Sequence, residues 1–275
     1  MIDKVRARLV SARRRMVRSL GLLEAWRSRR RPPTTYRPGV TVLTVNWNSS
    51  SFVKVLVDAV RASSPASTEI LVVDNGSTDD SRDYFASRDD VRTVLLSRNF
   101  GHGVALDIGV GHVDTEYLAV LDVDAFPISS DWLDRAIEDL NAGARIVGAH
   151  MHRNFVHPCF LVTRTQMVHE FDLTFRPVGS LATRDSAAPL FLDVAEAMSQ
   201  RVLIKFGGGG ALRFYEVTSR RGPGNAGEVY GDLVYHNQYA TQGRHHDLAL
   251  QIFEEAVDKY HPSLSKSVSD GHDAT

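Results

Sequence analysis

The chain has 275 residues, enough for one large domain or two small ones, and its 43% hydrophobic and 24% charged content is that of an ordinary globular protein. No apolar run approaches the roughly 18 residues of a membrane-spanning helix, and the single cysteine, Cys159, excludes an internal disulfide framework and suits a reducing compartment. The net charge of −1 conceals an arm: residues 1–31 hold 11 Lys/Arg and 2 Asp/Glu, a local +9, which leaves 21 basic and 31 acidic residues, or −10, for the remainder.

In chain order, residues 2–30 predict a helix. Val5, Leu9, Ala12, Met16, Leu20 and Leu23 recur at steps of three or four, Trp26 continues the series, and arginines are interleaved. A basic amphipathic helix of this kind suits an anionic membrane surface. The alternatives are packing on the acidic body and a disordered tail. Nucleic acid is disfavoured, because the rest of the chain is acidic and carries no basic stripe. Arg31-Pro32-Pro33 breaks the helix and starts a linker.

Val40–Val45 predicts a strand, followed by the polar Asn46-Trp47-Asn48-Ser49 and a helix over Ser50–Ala62. Glu69–Val73 predicts a second strand, ending in Asp74-Asn75-Gly76-Ser77-Thr78, then a short helix over Asp79–Ala86. Val91–Leu96 is a third strand, and Asn99–Val113, with Gly101, Gly103 and Gly109, turns into a helix. Tyr117–Leu121 is a fourth strand and ends in Asp122-Val123-Asp124; Asp131–Leu140 is a helix. Strands alternating with helices predict an α/β fold with a mostly parallel sheet. Ligands of such sheets bind outside the carboxyl ends of the strands, where all these polar clusters fall. Two carboxylates at a strand end need a partner, and a hard divalent cation is one that fits.

The second half is less regular. Arg145–Ala149 and Cys159–Val162 predict strands, Asp185–Gln200 a helix, Val202–Phe206 a strand, and His246–Tyr260 a last helix. Arg220–Gly227 is expected to be mobile, and Pro262–Thr275 to be a disordered tail. His150, His152 and His157 form an alternative zinc grouping without an evident fourth ligand. Cys159 lies in an apolar run with no activating partner, which argues against a nucleophile. Asn48-Ser49-Ser50 matches a glycosylation sequon, but nothing in the chain suggests secretion.

The stretches VTVLTVNWNSS, LVVDNGSTDDS, NFGHGVALDIG and LDVDAFP, in this order, resemble family 2 of the inverting glycosyltransferases with the GT-A fold. The likeness is firm from Val40 to about Trp132, has a rhamnosyltransferase-like character in this half, and continues more weakly to His236. It implies one GT-A domain over residues 38–261, between the arm and linker (1–37) and the tail (262–275). It also implies transfer of a sugar from a UDP- or dTDP-linked donor to an acceptor hydroxyl on a glycan, cell-envelope polymer or glycolipid. Val45, Asn46, Trp47, Asn48, Asp74, Asn99, Gly101 and Asp122 would face the donor nucleotide, Asp74 accepting from a pyrimidine imino N–H.

Asp124 and the late histidine His236 would hold Mg²⁺ or Mn²⁺, and His157 would line the acceptor side. The Glu-Asp pair that supplies the general base in many members is absent. Arg184-Asp185-Ser186-Ala187 resembles a variant, so Asp185 is the expected base, with Asp193 and Glu196 as runners-up. Asp107 stands where members often have Asn and receives no role. The implied location is the cytoplasm, or the inner face of the cell membrane through residues 1–31. Two other readings compete. One is a non-catalytic nucleotide-sugar-binding or membrane-tethering protein. The other is a sugar nucleotidyltransferase, which would need a basic, glycine-rich loop after the first strand.

Overall fold

Strand runs that are apolar at every position require a sheet covered on both faces. A computed structural model has that arrangement; it describes residues 2–150, 153–178, 180–181, 190–222, 226–238 and 246–264. The elements are α1 (Ile2–Arg29), β1 (Arg37–Asn46), α2 (Ser50–Ser63), β2 (Glu69–Asp74), α3 (Ser81–Ala86), β3 (Val91–Leu95), α4 (His102–Val110), β4 (Thr115–Val120) and β5 (Ala125–Pro127). They continue with α5 (Trp132–Asn141), β6 (Ile146–His150), β7 (Val156–Arg164), α6 (Thr165–Glu170), β8 (Ser180–Leu181), β9 (Leu190–Phe191) and α7 (Glu196–Phe206). Then follow β10 (Leu212–Tyr215), β11 (Val217–Arg220), β12 (Glu228–Tyr230), β13 (Val234–His236) and α8 (His246–Tyr260).

Seven strands form the central sheet in the order β10-β6-β7-β4-β1-β2-β3. Neighbours run parallel except at β7, which is antiparallel to both β4 and β6. Val42, Ile70, Val72 and Ala119 belong to one buried layer with Leu56 of α2 and Trp132 of α5. Leu43, Leu71, Val73 and Val120 belong to the opposite layer with Leu106 of α4, Val168 of α6 and Met198 of α7. A second, antiparallel sheet has the order β11-β12-β13-β5. Phe253 of α8 ties it down, packing on Phe52 of α2 and on Phe126 of β5 at ring distances of 4.7 and 5.6 Å.

Two expectations change in the second half. Val202–Phe206 is the end of α7, not a strand. Its β-branched content is outweighed by Met198, Val202 and Phe206 at steps of four, which share the second buried layer while Ile204 points to solvent. The expected Asp185–Gln200 helix begins only at Glu196; Leu190–Phe191 is a strand, and residues 182–189 lie outside the described residues. Arg220–Gly227, expected to be mobile, begins and ends on a hydrogen-bonded pairing, with Arg221 N donating to Gly227 O and Gly222 N to Ala226 O. Residues 223–225 within it are outside the description, as is the expected tail from 265 onward.

The arm is a helix, and its contact face is not the one that hydrophobic periodicity selects. Met16, Leu20, Leu23 and Trp26 are 54, 42, 40 and 57% exposed. Gly21, Ala25, Ser28 and Arg29, on the opposite side, meet the body. A Cβ on Gly111, which follows α4, would come within 2.4 Å of the Ser28 backbone, so the glycine permits the close crossing. Charge then fixes the position. Arg29 lies 3.6 Å from the buried Asp107 and donates from Nη2 to Val168 O at 3.1 Å. Asp107 also accepts from the Thr174 hydroxyl, from Phe175 N–H (2.9 Å) and from Arg176 Nε (3.0 Å). It therefore clasps α1 and the 174–176 segment to α4.

Asp107→Ala is expected to destabilise the protein by about 3 kcal/mol, since it strands the buried Arg29. It should also expose Arg27 and Arg29 to trypsin; denaturant midpoints and limited proteolysis check both effects.

Candidate active site

β1, β2, β3 and β4 are parallel, so the loops that follow them lie along one edge of the sheet. These loops are cross-linked by their own side chains. Asn46 Nδ2 donates to Asp74 Oδ2 (3.2 Å) and to Ser77 Oγ (3.1 Å). Asn48 Oδ1 accepts from Thr78 N–H at 2.7 Å. Asn75 Nδ2 donates to Asn99 Oδ1 (3.1 Å), and Asn75 Oδ1 accepts from Phe100 N–H (2.9 Å). Asp74 is fully buried and accepts from Ser77 N–H and from Arg82 Nε as well as from Asn46. Its carboxylate braces the loops that carry Asn75 and Trp47.

A cleft of about 350 Å³ opens at this edge. Val45, Trp47, Asn99, Asp122, Asp124, His157 and His236, all singled out in the sequence, line it. Asn46, Asn48, Asp74 and Gly101 do not; they belong to the supporting loops. Asn75, His102 and Gln238 line the cleft and were missed. Asn75 adjoins Asp74 in a strand-end loop. His102 is the first residue of α4, just after Gly101. The strand-end rule applied to every polar residue would have found both.

His236 reaches the cleft through strand pairing. β5 follows the Asp122–Asp124 turn directly, and β13 pairs with it antiparallel, setting His236 opposite Ala125. Asn237 N then donates to Asp124 O at 3.0 Å. His236 Nε2 stands 3.6 Å from Asp124 Oδ1 and 3.9 Å from Asp122 Oδ2. The three residues each offer one ligand atom within 4.8 Å of the others, and among the described residues they form the one such cluster.

The electrostatics of the cluster fit a cation. Burial pushes the Asp122 carboxyl up to about 7, with the Asp193 charge adding to the effect. Burial, then the Asp122 charge, pushes Asp124 well above the carboxylate range. Burial lowers His236 to about 3, which keeps its imidazole neutral with a lone pair to give. Asp122 Oδ1 and His236 Nδ1 are buried without a hydrogen-bond partner. Two oxygens and one nitrogen would leave the other positions of a divalent ion to water or a phosphate. Positive charge would remove the penalty that raises both carboxyls.

Two further imidazoles face Asp122. His102 Nε2 is 3.4 Å from Oδ1, and burial lowers its pKa to about 4. His157 Nδ1 is 3.9 Å from Oδ2 and accepts from Cys159 N–H at 3.1 Å. The alternative histidine grouping is not assembled: His150 Nδ1 pairs with Glu216 at 2.9 Å, His157 faces Asp122, and His152 lies outside the described residues. Burial pushes the Cys159 thiol well up, so it stays protonated and unreactive.

Asp185, the expected base, lies outside the described residues. Of its runners-up, Asp193 lines the cleft and Glu196 does not. Glu196 is buried; its Oε2 accepts Asp193 N–H (2.8 Å) and pairs with Arg153 (3.0 Å), which fixes the turn that presents Asp193.

A family model, Glycosyl transferase family 2, matches residues 41–189. The succinoglycan biosynthesis protein ExoO of Rhizobium meliloti (strain 1021) is 34% identical over 112 residues, 40% of this chain and 32% of its own. The glycosyltransferase TuaG of Bacillus subtilis (strain 168), assigned to teichuronic acid biosynthesis, is 30% identical over 95 residues, 33% of this chain and 38% of its own. The chain thus spans about a third of the length of these curated relatives. Among solved structures, the mannosyltransferase PcManGT from Pyrobaculum calidifontis, in complex with GDP-Man and Mn²⁺, matches with a TM-score of 0.51. That match covers 96% of this chain and 79% of the other at 17% identity, and it carries the fold alone.

Asp124→Ala and His236→Ala should each weaken Mn²⁺ binding by more than the roughly 10–100-fold that loss of an outer-shell partner costs. Titration calorimetry measures this. In metal-free buffer at pH 7, Asp124→Asn should melt at a higher temperature than the parent, because it removes a carboxyl that ionises freely when unfolded but that burial holds protonated in the fold; in excess Mn²⁺ the order should reverse.

Proposed function

The chain belongs to glycosyl transferase family 2, and on that premise we propose that it moves a sugar from a nucleoside-diphosphate sugar to an acceptor hydroxyl with inversion. The observation that carries this reading is the meeting of Asp193 with Asp122, Asp124 and His236 in one cleft. Asp122, Asp124 and His236 would hold Mg²⁺ or Mn²⁺. The ion, when bound, supplies positive charge against the departing diphosphate. Trp47, Asn75 and Asn99 would flank the nucleotide, on loops that Asn46, Asn48, Asp74 and Gly101 support. His157 would border the acceptor.

Asp193 is the base in this reading. The acceptor oxygen attacks the anomeric carbon from the face opposite the diphosphate, the new C–O bond forms as the C–O–P bond breaks, and the hydroxyl proton passes to the Asp193 carboxylate. One displacement inverts the centre without a covalent enzyme intermediate. Glu196 and Arg153 would serve as positioning residues. The acceptor class we favour is a glycan or glycolipid of the cell envelope, in keeping with the succinoglycan and teichuronic acid assignments of the relatives.

We further assign α1 to an anionic membrane surface. Its outer stripe of Met16, Leu20, Leu23 and Trp26 is exposed beside Arg27 and Arg30. Basic residues near anionic headgroups contribute about 1 kcal/mol each, and the attraction weakens with salt.

Asp193→Asn is expected to keep donor binding and lose turnover by at least about 100-fold, because an amide cannot take the proton. A screen of UDP-, dTDP- and GDP-sugars with and without Mn²⁺ fixes the donor. Metal-dependent binding without transfer or hydrolysis would favour the non-catalytic alternative. For α1, Leu20→Asp with Leu23→Asp should abolish co-sedimentation with anionic vesicles at low salt; unaltered sedimentation would refute the assignment.

A further inference from the structure

The docked face of α1 is not in close contact with the body at every described side chain. At Gly21 a Cβ would meet the Phe100 ring at 2.9 Å, so the helix is in close contact there. Val10 and Val17, toward the N-terminus, and Leu22 beside Gly21 line a cavity of about 820 Å³ together with Val104, Pro177 and Val178. The walls are mainly hydrocarbon, and the volume falls in the roughly 300–1,000 Å³ range of small-molecule sites. An apolar space of this size gives water few partners, while a hydrocarbon chain would regain contacts on every side.

Two features say what kind of molecule fits. First, Asn99 and His102 line both this cavity and the Asp122–Asp124–His236 cleft. His102 Nε2 lies 3.4 Å from Asp122 Oδ1, so a single imidazole separates the apolar space from the candidate metal ligands. Second, two basic residues belong to its lining, Arg18 from α1 and Arg176 from the segment Asp107 clasps, the latter already paired with Asp107 through Nε. Hydrocarbon walls with cationic groups, next to a polar reaction site, are complementary to an amphiphile with an anionic linkage.

We propose that the cavity between α1 and the 100–104 and 176–178 segments holds the hydrocarbon chain of an anionic amphiphilic acceptor, whose hydroxyl-bearing end enters the adjoining cleft. The chain would lie among Val17, Leu22, Val104 and Val178, with its phosphate or similar linkage near Arg18. The role of the polar end rests on the transferase reading; the chain site rests on the cavity. α1 then has two apolar duties: its inner face covers the acceptor's tail, and its outer face meets the surface from which such an amphiphile comes.

The test is titration calorimetry with hexyl, octyl and decyl phosphate below their micelle concentrations, and with inorganic phosphate as the head-only control. Affinity is expected to rise roughly fourfold per added methylene, with inorganic phosphate far weaker than decyl phosphate. Val17→Trp and Val178→Trp, filling the space from opposite walls, should each weaken decyl phosphate at least about tenfold and flatten the series. Leu248→Ala, an exposed apolar position on α8, should leave the series unchanged. A flat series in the parent, or the parent's slope in both tryptophan variants, would overturn the proposal; the second result would mean that the chain binds elsewhere, such as the outer face of α1. Mn²⁺-dependent binding of UDP and GDP is read on the same samples. Nucleotide binding with a flat series sinks the chain site alone. A steep, tryptophan-sensitive series without nucleotide binding upholds the chain site and sinks the transferase reading.

Discussion

The short antiparallel pairing of β5 with β13 is the contact on which the site depends. Asp122 and Asp124 sit where β4 runs out, and the chain re-enters a sheet only three residues long. β13 arrives from more than a hundred residues downstream and, through its register with β5, sets His236 opposite Ala125. A shift of one residue would turn the imidazole to the other face of the strand. The register is held from behind: Asn237 Oδ1 accepts from Gly227 N–H, and its Nδ2 donates to Ala249 O on α8. Phe126, Tyr235 and Phe253 pack beneath. The local geometry of three candidate ligands therefore rests on an aromatic layer and a last helix that line no part of the cleft themselves.

Among the described residues, two clusters of buried carboxylates show opposite solutions. Asp107 is saturated by two arginines, a hydroxyl and a backbone N–H, all from the protein, and it acts as a clasp. Burial raises the Asp107 carboxyl, but its arginines and hydrogen bonds pull it back down; Asp122 and Asp124 face imidazoles and each other, and burial, joined by the Asp193 charge at Asp122 and the Asp122 charge at Asp124, pushes both up. Burying carboxylates without a permanent counter-charge costs folding free energy. The contrast between a satisfied and an unsatisfied buried carboxylate distinguishes a structural group from one prepared for a cation. Asp74 belongs with the first kind: it holds together loops from which Trp47 and Asn75 reach the cleft.

α1 shows how charge and small residues can override an apolar stripe. Docking uses Gly21, Ala25 and Arg29, where the backbone comes close enough for Arg29 to reach Asp107. The larger apolar side chains are left outside. An amphipathic helix in water would bury them, so a helix that docks by its other face has an outer surface of its own to satisfy. The cavity on the inner face adds the same demand on the other side.

The α/β class, the order of the first four strands and the helices between them followed from the sequence, because strands buried on both faces read as continuous apolar runs and their polar ends stand out. Asp122, Asp124 and Trp47 were legible for that reason: each lies within a few residues of a strand end, so local pattern suffices, whereas Asn99 came from the family likeness. The family likeness extended this to His236, with a role that spacing alone could not supply. Only the tertiary structure decided three things. The edge sheet that carries His236 is made of three- and four-residue strands, too short for any periodic signal. Val202–Phe206 is helical because its partners, not its β-branched residues, set the period. Asp193 and Glu196 look alike as carboxylates three positions apart, but the left-handed Ala195 between them (φ 65°) turns one into the cleft and the other into the wall. A sequence records side-chain chemistry at every position, whereas direction and distance across the sheet come only from how the elements pack.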